Sequence, residues 1–413
     1  MSHSKPRKPN DYHEYLLPSD FDAAAIVGPL KADAARWLVS TILHKLAVRD
    51  VDARRFAILS STILERVMGH GYATIVRALV DAGVLLRSPY HEGRSFGYRL
   101  ADEYLAGMQR LVTVTNPVIR DRLQRERERH DAEQAERRLP IHDALDEAQQ
   151  ALTVLPAAHD AVELLPRESR LCQRVHVDRL ERGELPLTIS TTQRLFNGLS
   201  GVKSGLREHV RLDGEPIGCV DIRNSQPALL GNLVAHGFPL EWVKRCSSIK
   251  IHRWTSAPPP SLSAFPSPAL AFAPFASVAA SGILYDELAE AFGGDRKFVK
   301  KRFLVDVLAK KGTYRSKVED EFRFRFPEAW ETIQKINGSS HCNLIRLLQR
   351  LEAWLVIERI APKLVERLPI VTLHDAIYAA VHDLGQVEDA FRETLEEVGW
   401  QLALKVEVNQ MRE

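Results

Sequence analysis

The chain has 413 residues, 45 % of them apolar, which is enough for two or three domains with buried cores. Lys and Arg number 56 against 54 Asp and Glu, so net charge argues neither for nor against a nucleic-acid partner; only local basic clusters can do so. The cysteines Cys172, Cys219, Cys246 and Cys342 stand far apart, with no His at zinc-ligand spacing, which argues against a disulfide framework or structural zinc.

The first ten residues are polar and basic with no apolar stretch behind them, so no signal peptide is expected. No window holds the long apolar run that a membrane span needs. A cytoplasmic protein with reduced thiols and no membrane partner is the expectation.

Residues 1–29 read as a loosely ordered N-terminal segment. Residues 30–110 read as a small helical domain with a hairpin. Ala34, Leu38, Ile42, Leu43 and Leu46 recur at helical spacing. Ser60 or Ser61 can cap a second helix that runs to Met68. Gly69 to Gly71 make a turn, a third helix follows, and Gly83 stops it. Two strands are expected over 84–86 and 96–100, joined by a polar loop that carries His91 and Arg94. Helix, helix, turn, helix and wing is the order of a winged helix, whose third helix would face DNA. Arg77 is that helix's only cation, and the unit could instead serve as packing.

Residues 111–165 read as a helical connector. The stretch 117–138 carries seven arginines and six acids, the pattern of a solvated helix laced with ion pairs. Residues 166–413 form the second domain, with an insertion at 255–281. That insertion is rich in Ala, Pro and Ser and holds no charged residue, so it reads as a disordered surface loop. Around it come a strand at 216–222, helices at 227–235, 285–292, 296–309 and 343–368, a hairpin over 370–381 and a helix at 387–398. Leu402, Leu404, Val406 and Val408 alternate in a final strand, which predicts one buried face. The fold class expected is α+β, an antiparallel sheet backed by helices.

Two places carry chemistry. In Val220-Asp221-Ile222-Arg223-Asn224-Ser225-Gln226-Pro227, an apolar strand delivers an Asp at its end and the chain turns into a helix. In Thr372-Leu373-His374-Asp375-Ala376-Ile377, a hairpin tip presents His-Asp. Either could be a plain turn residue or cap. On adjacent strands, however, the two carboxylates would meet, as two-metal phosphoryl transfer requires, with ions roughly 3.5–4 Å apart. Mg²⁺ suits carboxylate plus phosphate ligands, and Mn²⁺ is the alternative.

The ordered set resembles the family A polymerases and the phage single-subunit RNA polymerases over roughly residues 185–410. Asp221 to Pro227 is similar to their motif A, with its Ser225-Gln226 pair, and His374-Asp375 to their motif C. Arg296 and Lys300 have the Arg-to-Lys spacing of motif B, with Tyr285-Asp286 upstream. Phe322 to Pro327 is similar to the segment after the fingers, and Gln349 to a polar residue on the helix before motif C. The family's Tyr-Gly falls here on Leu308 and Ala309, with Gly312 and Tyr314 nearby, and Ala376 follows the motif C aspartate.

The resemblance implies a reduced polymerase-like palm with a helical fingers-like segment. It implies Asp221 and Asp375 as catalytic metal ligands, nucleoside triphosphates and a nucleic-acid template or primer as partners, and substrate contacts from Gln226, Gln349 and His374. Lys300 would neutralise the leaving pyrophosphate, and Arg296, one turn earlier, would hold the γ-phosphate. Arg194, Lys203, Arg207 and Arg211 lie ahead of the first motif, where cations could hold a triphosphate or primer. Replication of a plasmid, phage or other mobile element would suit such an architecture. The alternatives are a DNA-binding initiator or regulator with an inactive palm, and a two-metal nuclease with Glu352 as a third acid.

Overall fold

The computed structural model describes residues 14–48, 56–89, 95–106, 109–243 and 273–409. The chain divides into two compact units, Met1–Glu136 with Ala157–Asp178, and Arg137–Pro156 with Arg179–Glu413. Both combine helices with antiparallel strands, so the class is α+β. Among the described residues no helix is long and apolar enough to cross a membrane.

The first unit contains β1 (Glu14–Pro18), α1 (Ala32–Val48), β2 (Ala57–Ile58), α2 (Ser61–Met68), α3 (Tyr72–Asp81), β3 (Leu85–Arg87), β4 (Gly97–Leu100), β5 (Gln109–Thr113) and α4 (Pro117–Arg137). Helix α1 buries Ala35, Leu38, Val39, Ile42 and Leu43, one stripe at helical spacing. Ser60 caps α2, its side chain accepting from the Ile63 N–H at 3.3 Å, and Gly69 ends that helix at φ 87°. Strands β2, β4 and β3 pair in that order. A side chain at Gly97 would meet the Phe56 Cβ at 2.4 Å, so only glycine lets the strand pass there. His91 and Arg94 lie outside the described residues.

Two boundaries differ from the sequence reading. The segment before residue 30 is not loosely ordered throughout, because β1 pairs with β5 from Glu14↔Thr113 to Pro18↔Gln109, and Tyr15, Leu17 and Phe21 are buried in the unit's core. That core had no visible partner in sequence, since β5 lies some ninety residues away. Nor is 111–165 a free connector. Arg122 on α4 donates to the Val67 carbonyl at 3.3 Å, and Glu126 pairs with Arg66 at 3.2 Å, so α4 is tied to α2. Its outer face carries the expected ion pairs, among them Arg125 with Asp121 and Arg129 with Glu126. The buried Asp33 fixes where α4 starts. It accepts from the N–H groups of Thr115 at 2.8 Å and Asn116 at 2.6 Å, and from Arg36 at 2.8 Å.

The second unit contains β6 (Leu152–Val154), β7 (Thr188–Ile189), β8 (Leu195–Phe196), β9 (Val210–Leu212), β10 (Glu215–Ile222), α5 (Ser225–His236), α6 (Ala273–Ala280), α7 (Leu284–Glu290), α8 (Arg296–Arg302), α9 (Asn343–Ala353), β11 (Val371–Leu373), β12 (Ala376–Ala380), α10 (Leu384–Val398) and β13 (Leu404–Val408). The main sheet runs β11-β12-β10-β9-β6, with β13 also paired to β10. Val220, Ile222, Ile377 and Ala379 point to one face and pack with buried residues of α5, α9 and α10. Alternation therefore turns Asp221 to the other face. A π-helical segment, Phe303–Leu308, continues α8, and another, Trp354–Ile360, continues α9.

Two expectations fail here. The insertion does not extend to residue 281. Residues 273–280 are helix α6, Phe275 is buried against Phe322 and Phe326, and Gly231 of α5 leaves only 3.0 Å between its virtual Cβ and that of Ala279. Small residues, read as low complexity, are here what lets two helices approach closely. Residues 255–272 of the insertion lie outside the described residues. The final strand lacks the fully buried face its alternation predicts: Val406 is 45 % and Val408 43 % exposed, because the strand stands at the sheet edge.

Candidate active site

The site grows from three neighbouring strands of the main sheet. Strand β10 is antiparallel to β12 on one side, with Asp221 opposite Ala376, and to β13 on the other, with Asp221 opposite Lys405. The hairpin of β11 and β12 turns through His374 and Asp375, with His374 in the left-handed region at φ 57°. Asn224, just past β10, is also left-handed at φ 51°. Such conformations are unfavourable for residues other than glycine, and both flank the carboxylates. The Ile222 N–H donates to the Asp375 carbonyl at 3.3 Å, which ties the end of β10 to the hairpin tip. Asp221 and Asp375 thus stand at neighbouring strand ends, and the Asp375 charge reaches Asp221.

Glu352 on α9 joins them. It is 1 % exposed. Its Oε2 accepts from Ser225 Oγ at 2.8 Å, and its Oε1 lies 2.6 Å from the Arg194 guanidinium. Ser225 opens α5 and also favours the ionised form of Asp375. Burial, and then the charges of Asp375 and Glu407, push Asp221 above the usual carboxylate range, while Lys300 and Lys405 oppose them. Burial and the Asp375 charge likewise raise Glu352 against Arg194 and Ser225. Burial also raises Asp375 against its own backbone N–H, Arg194, Lys300 and Ser225. Carboxyl groups desolvated and crowded in this way resist ionising, and a bound divalent cation would relieve that. Carboxylate oxygens such as those of Asp221 and Asp375 are donors of the kind that Mg²⁺ or Mn²⁺ takes.

The cations divide. Lys300 is exposed on α8, and its charge reaches both Asp221 and Asp375. Arg296, one turn earlier, is engaged otherwise: it pairs with Asp286 at 2.9 Å and donates to Asn224 Oδ1 at 3.1 Å. The two residues share a helix face but do different things in this state. Arg194 is delivered by the turn between β7 and β8, where Ser190 Oγ accepts from the Arg194 N–H at 3.0 Å and Gln193 is left-handed at φ 64°. Arg207 donates to the Tyr378 hydroxyl at 2.6 Å, two residues along β12 from Ala376.

The remaining expected contacts sit close by. Thr192 Oγ1 donates to Gln349 Oε1 at 3.4 Å, a long bond that holds the same turn to α9. Gln226 Oε1 is buried without a hydrogen-bond partner, as is His374 Nδ1. The His374 ring meets Phe196 edge-on, with centroids 5.7 Å apart. Burial, with Arg194 and Arg207 nearby, lowers its pKa to about 4, so the ring is neutral at pH 7. Tyr314 points elsewhere, donating to the buried Asp306 at 2.6 Å.

Sequence reasoning missed four contributors. Ser225 was read only as a cap or part of a pair, Asn224 only as a cap, and Lys405 and Glu407 not at all. The alternation 404–408 gave the parity of Lys405 and Glu407 but not the partner strand, so nothing in sequence placed them beside Asp221. No family model matches the chain, and no curated protein matches it either.

Proposed function

We propose that this chain is a template-directed nucleotidyltransferase, a polymerase that joins nucleotides with divalent ions held by Asp221 and Asp375. The observation that carries this reading is the meeting of the two carboxylates at the ends of adjacent strands, with the Lys300 charge acting on both. When bound, the ions would activate an attacking hydroxyl and stabilise the leaving oxygen. The chain's own residues have distinct tasks in this reading. Lys300 offsets charge on the departing pyrophosphate. Arg296 orients α8 through Asn224 and is available to a triphosphate once Asp286 releases it. Arg194, whose charge reaches both His374 and Asp375, and the neutral His374 stand beside the carboxylates.

The test is extension of labelled primed and unprimed templates with each nucleotide set and Mg²⁺ or Mn²⁺. Extension by the wild type and none by Asp221→Asn supports the reading. Metal-dependent shortening of the template, without addition, would instead support a two-metal nuclease. The observation favouring that second reading is Glu352, a third carboxylate beside Asp375.

For the first unit we propose duplex binding through the outer face of α3, where Ala73, Thr74 and Arg77 are exposed. Small side chains there allow a backbone or groove to come close. Arg77→Glu should weaken duplex binding and leave nucleotide addition to a saturating short primer unchanged. Equal duplex affinity would make this face a packing or protein-contact surface.

A further inference from the structure

Glu352 lies on the buried face of α9, beside Leu348, Leu351 and Ala353, which are all buried. A charge in such a place is costly unless it is fully engaged. Oε2 accepts from Ser225, and Oε1 stands in an ion pair with Arg194 at 2.6 Å that lacks hydrogen-bond geometry. The same two groups also act on Asp375, each favouring its ionised form. Ser225 has a single proton to donate, and Arg194 a single charge. Glu352 and Asp375 therefore compete for one pair of donors. An Asp375 that captured both would be neutralised by a fixed guanidinium and would have lone pairs occupied, which makes it a poor metal ligand.

We propose that Glu352 is a positioning residue that holds Ser225 and Arg194 on itself, leaving the Asp375 oxygens open to a divalent cation. This rests on the two-metal reading of Asp221 and Asp375. It differs from a third-ligand role for Glu352 in one consequence. If Glu352 works by restraining Arg194, then removing Arg194 as well should undo the harm of removing Glu352. If Glu352 ligates the metal, it should not.

The experiment is Mn²⁺ binding to the full chain, without nucleotide or nucleic acid, followed by the electron paramagnetic resonance signal of free Mn²⁺. Wild-type binding that Asp375→Asn abolishes defines the site. Glu352→Gln keeps the size and one acceptor but loses the charge, and its Mn²⁺ affinity should fall by about tenfold or more. Glu352→Gln combined with Arg194→Gln should recover to within about threefold of wild type. Thermal unfolding of each variant confirms the fold. Where Glu352→Gln does not fold, Glu352→Asp, which draws the charge back by one methylene, must show the same loss and the same recovery with Arg194→Gln. Unchanged affinity in the single variant overturns the proposal, and so does a loss that persists in the double variant. If the wild type binds no Mn²⁺ that Asp375→Asn removes, the two-metal reading itself fails. If that binding is intact and only the Glu352 results are negative, the polymerase reading stands without this role.

Discussion

The backbone N–H of Ile222 donates to the carbonyl oxygen of Asp375 at 3.3 Å, one residue beyond Asp221 on β10. That bond extends the pairing of β10 with β12 past its last regular register, Asp221↔Ala376, and carries it around the hairpin tip. The placement of the two residues' main chain is therefore set by backbone hydrogen bonding.

Lys300 and Arg296 should separate in kinetics. Lys300→Ala removes the cation whose charge reaches both carboxylates, so nucleotide addition should slow by roughly a hundredfold or more. Arg296→Ala breaks the link to Asn224 and Asp286 and should mainly raise the apparent nucleotide KM. Steady-state kinetics on a primed template distinguishes them. Identical effects of the two substitutions would mean that α8 acts as one undifferentiated basic surface.

The first unit should be sensitive to acid through Asp33. Burial alone would raise its pKa, but hydrogen bonds from the Asn116 N–H, Arg36 and Thr115 outweigh burial and hold it below the ordinary value. A group depressed in the folded state contributes its stability above the unfolded pKa, near 3.9 for Asp, and loses it as pH falls through the lower folded value. Asp33→Asn should cost on the order of 1–3 kcal/mol at pH 7, since the carboxylate is 3 % exposed and serves several donors. The gap between wild type and variant should narrow only below about pH 4. Urea unfolding from pH 3 to 7 measures it; a gap that is constant across the range would contradict the assignment.

Phe275 should behave as a core residue despite its low-complexity surroundings. It is 2 % exposed and meets Phe322 and Phe326 edge to face. Phe275→Ala should cost about 3–5 kcal/mol. A loss within the range of a surface substitution, read from denaturant unfolding, would return residues 273–280 to the insertion.

Local pattern carried the sequence reading well wherever one element decided its own form. The Ser60 cap, the 3.6-residue stripe of α1 and the His374-Asp375 hairpin tip were all legible, since capping, periodicity and turn chemistry act within a few residues. Contacts between distant segments were not. Strand β1 was missed because its partner β5 is far along the chain, and α6 because alanines and prolines look alike in a loop and in a close helix pair. The same limit shaped the site. Asp221 and Asp375 stood out as acids at strand ends. Glu352 emerged as a buried carboxylate between Ser225 and Arg194 only when α9 was placed against them, and Lys405 only when β13 was placed against β10.

The central claim is that Asp221 and Asp375 together support metal-dependent nucleotide addition. Its most direct measurement is single-nucleotide extension of a labelled primed template by wild type, Asp221→Asn and Asp375→Asn, each with Mg²⁺ and with Mn²⁺. Addition by the wild type, lost in both variants while their thermal unfolding stays close to wild type, is the predicted result. Addition that persists in either variant, or no addition by the wild type with any nucleotide set and either metal, would contradict it.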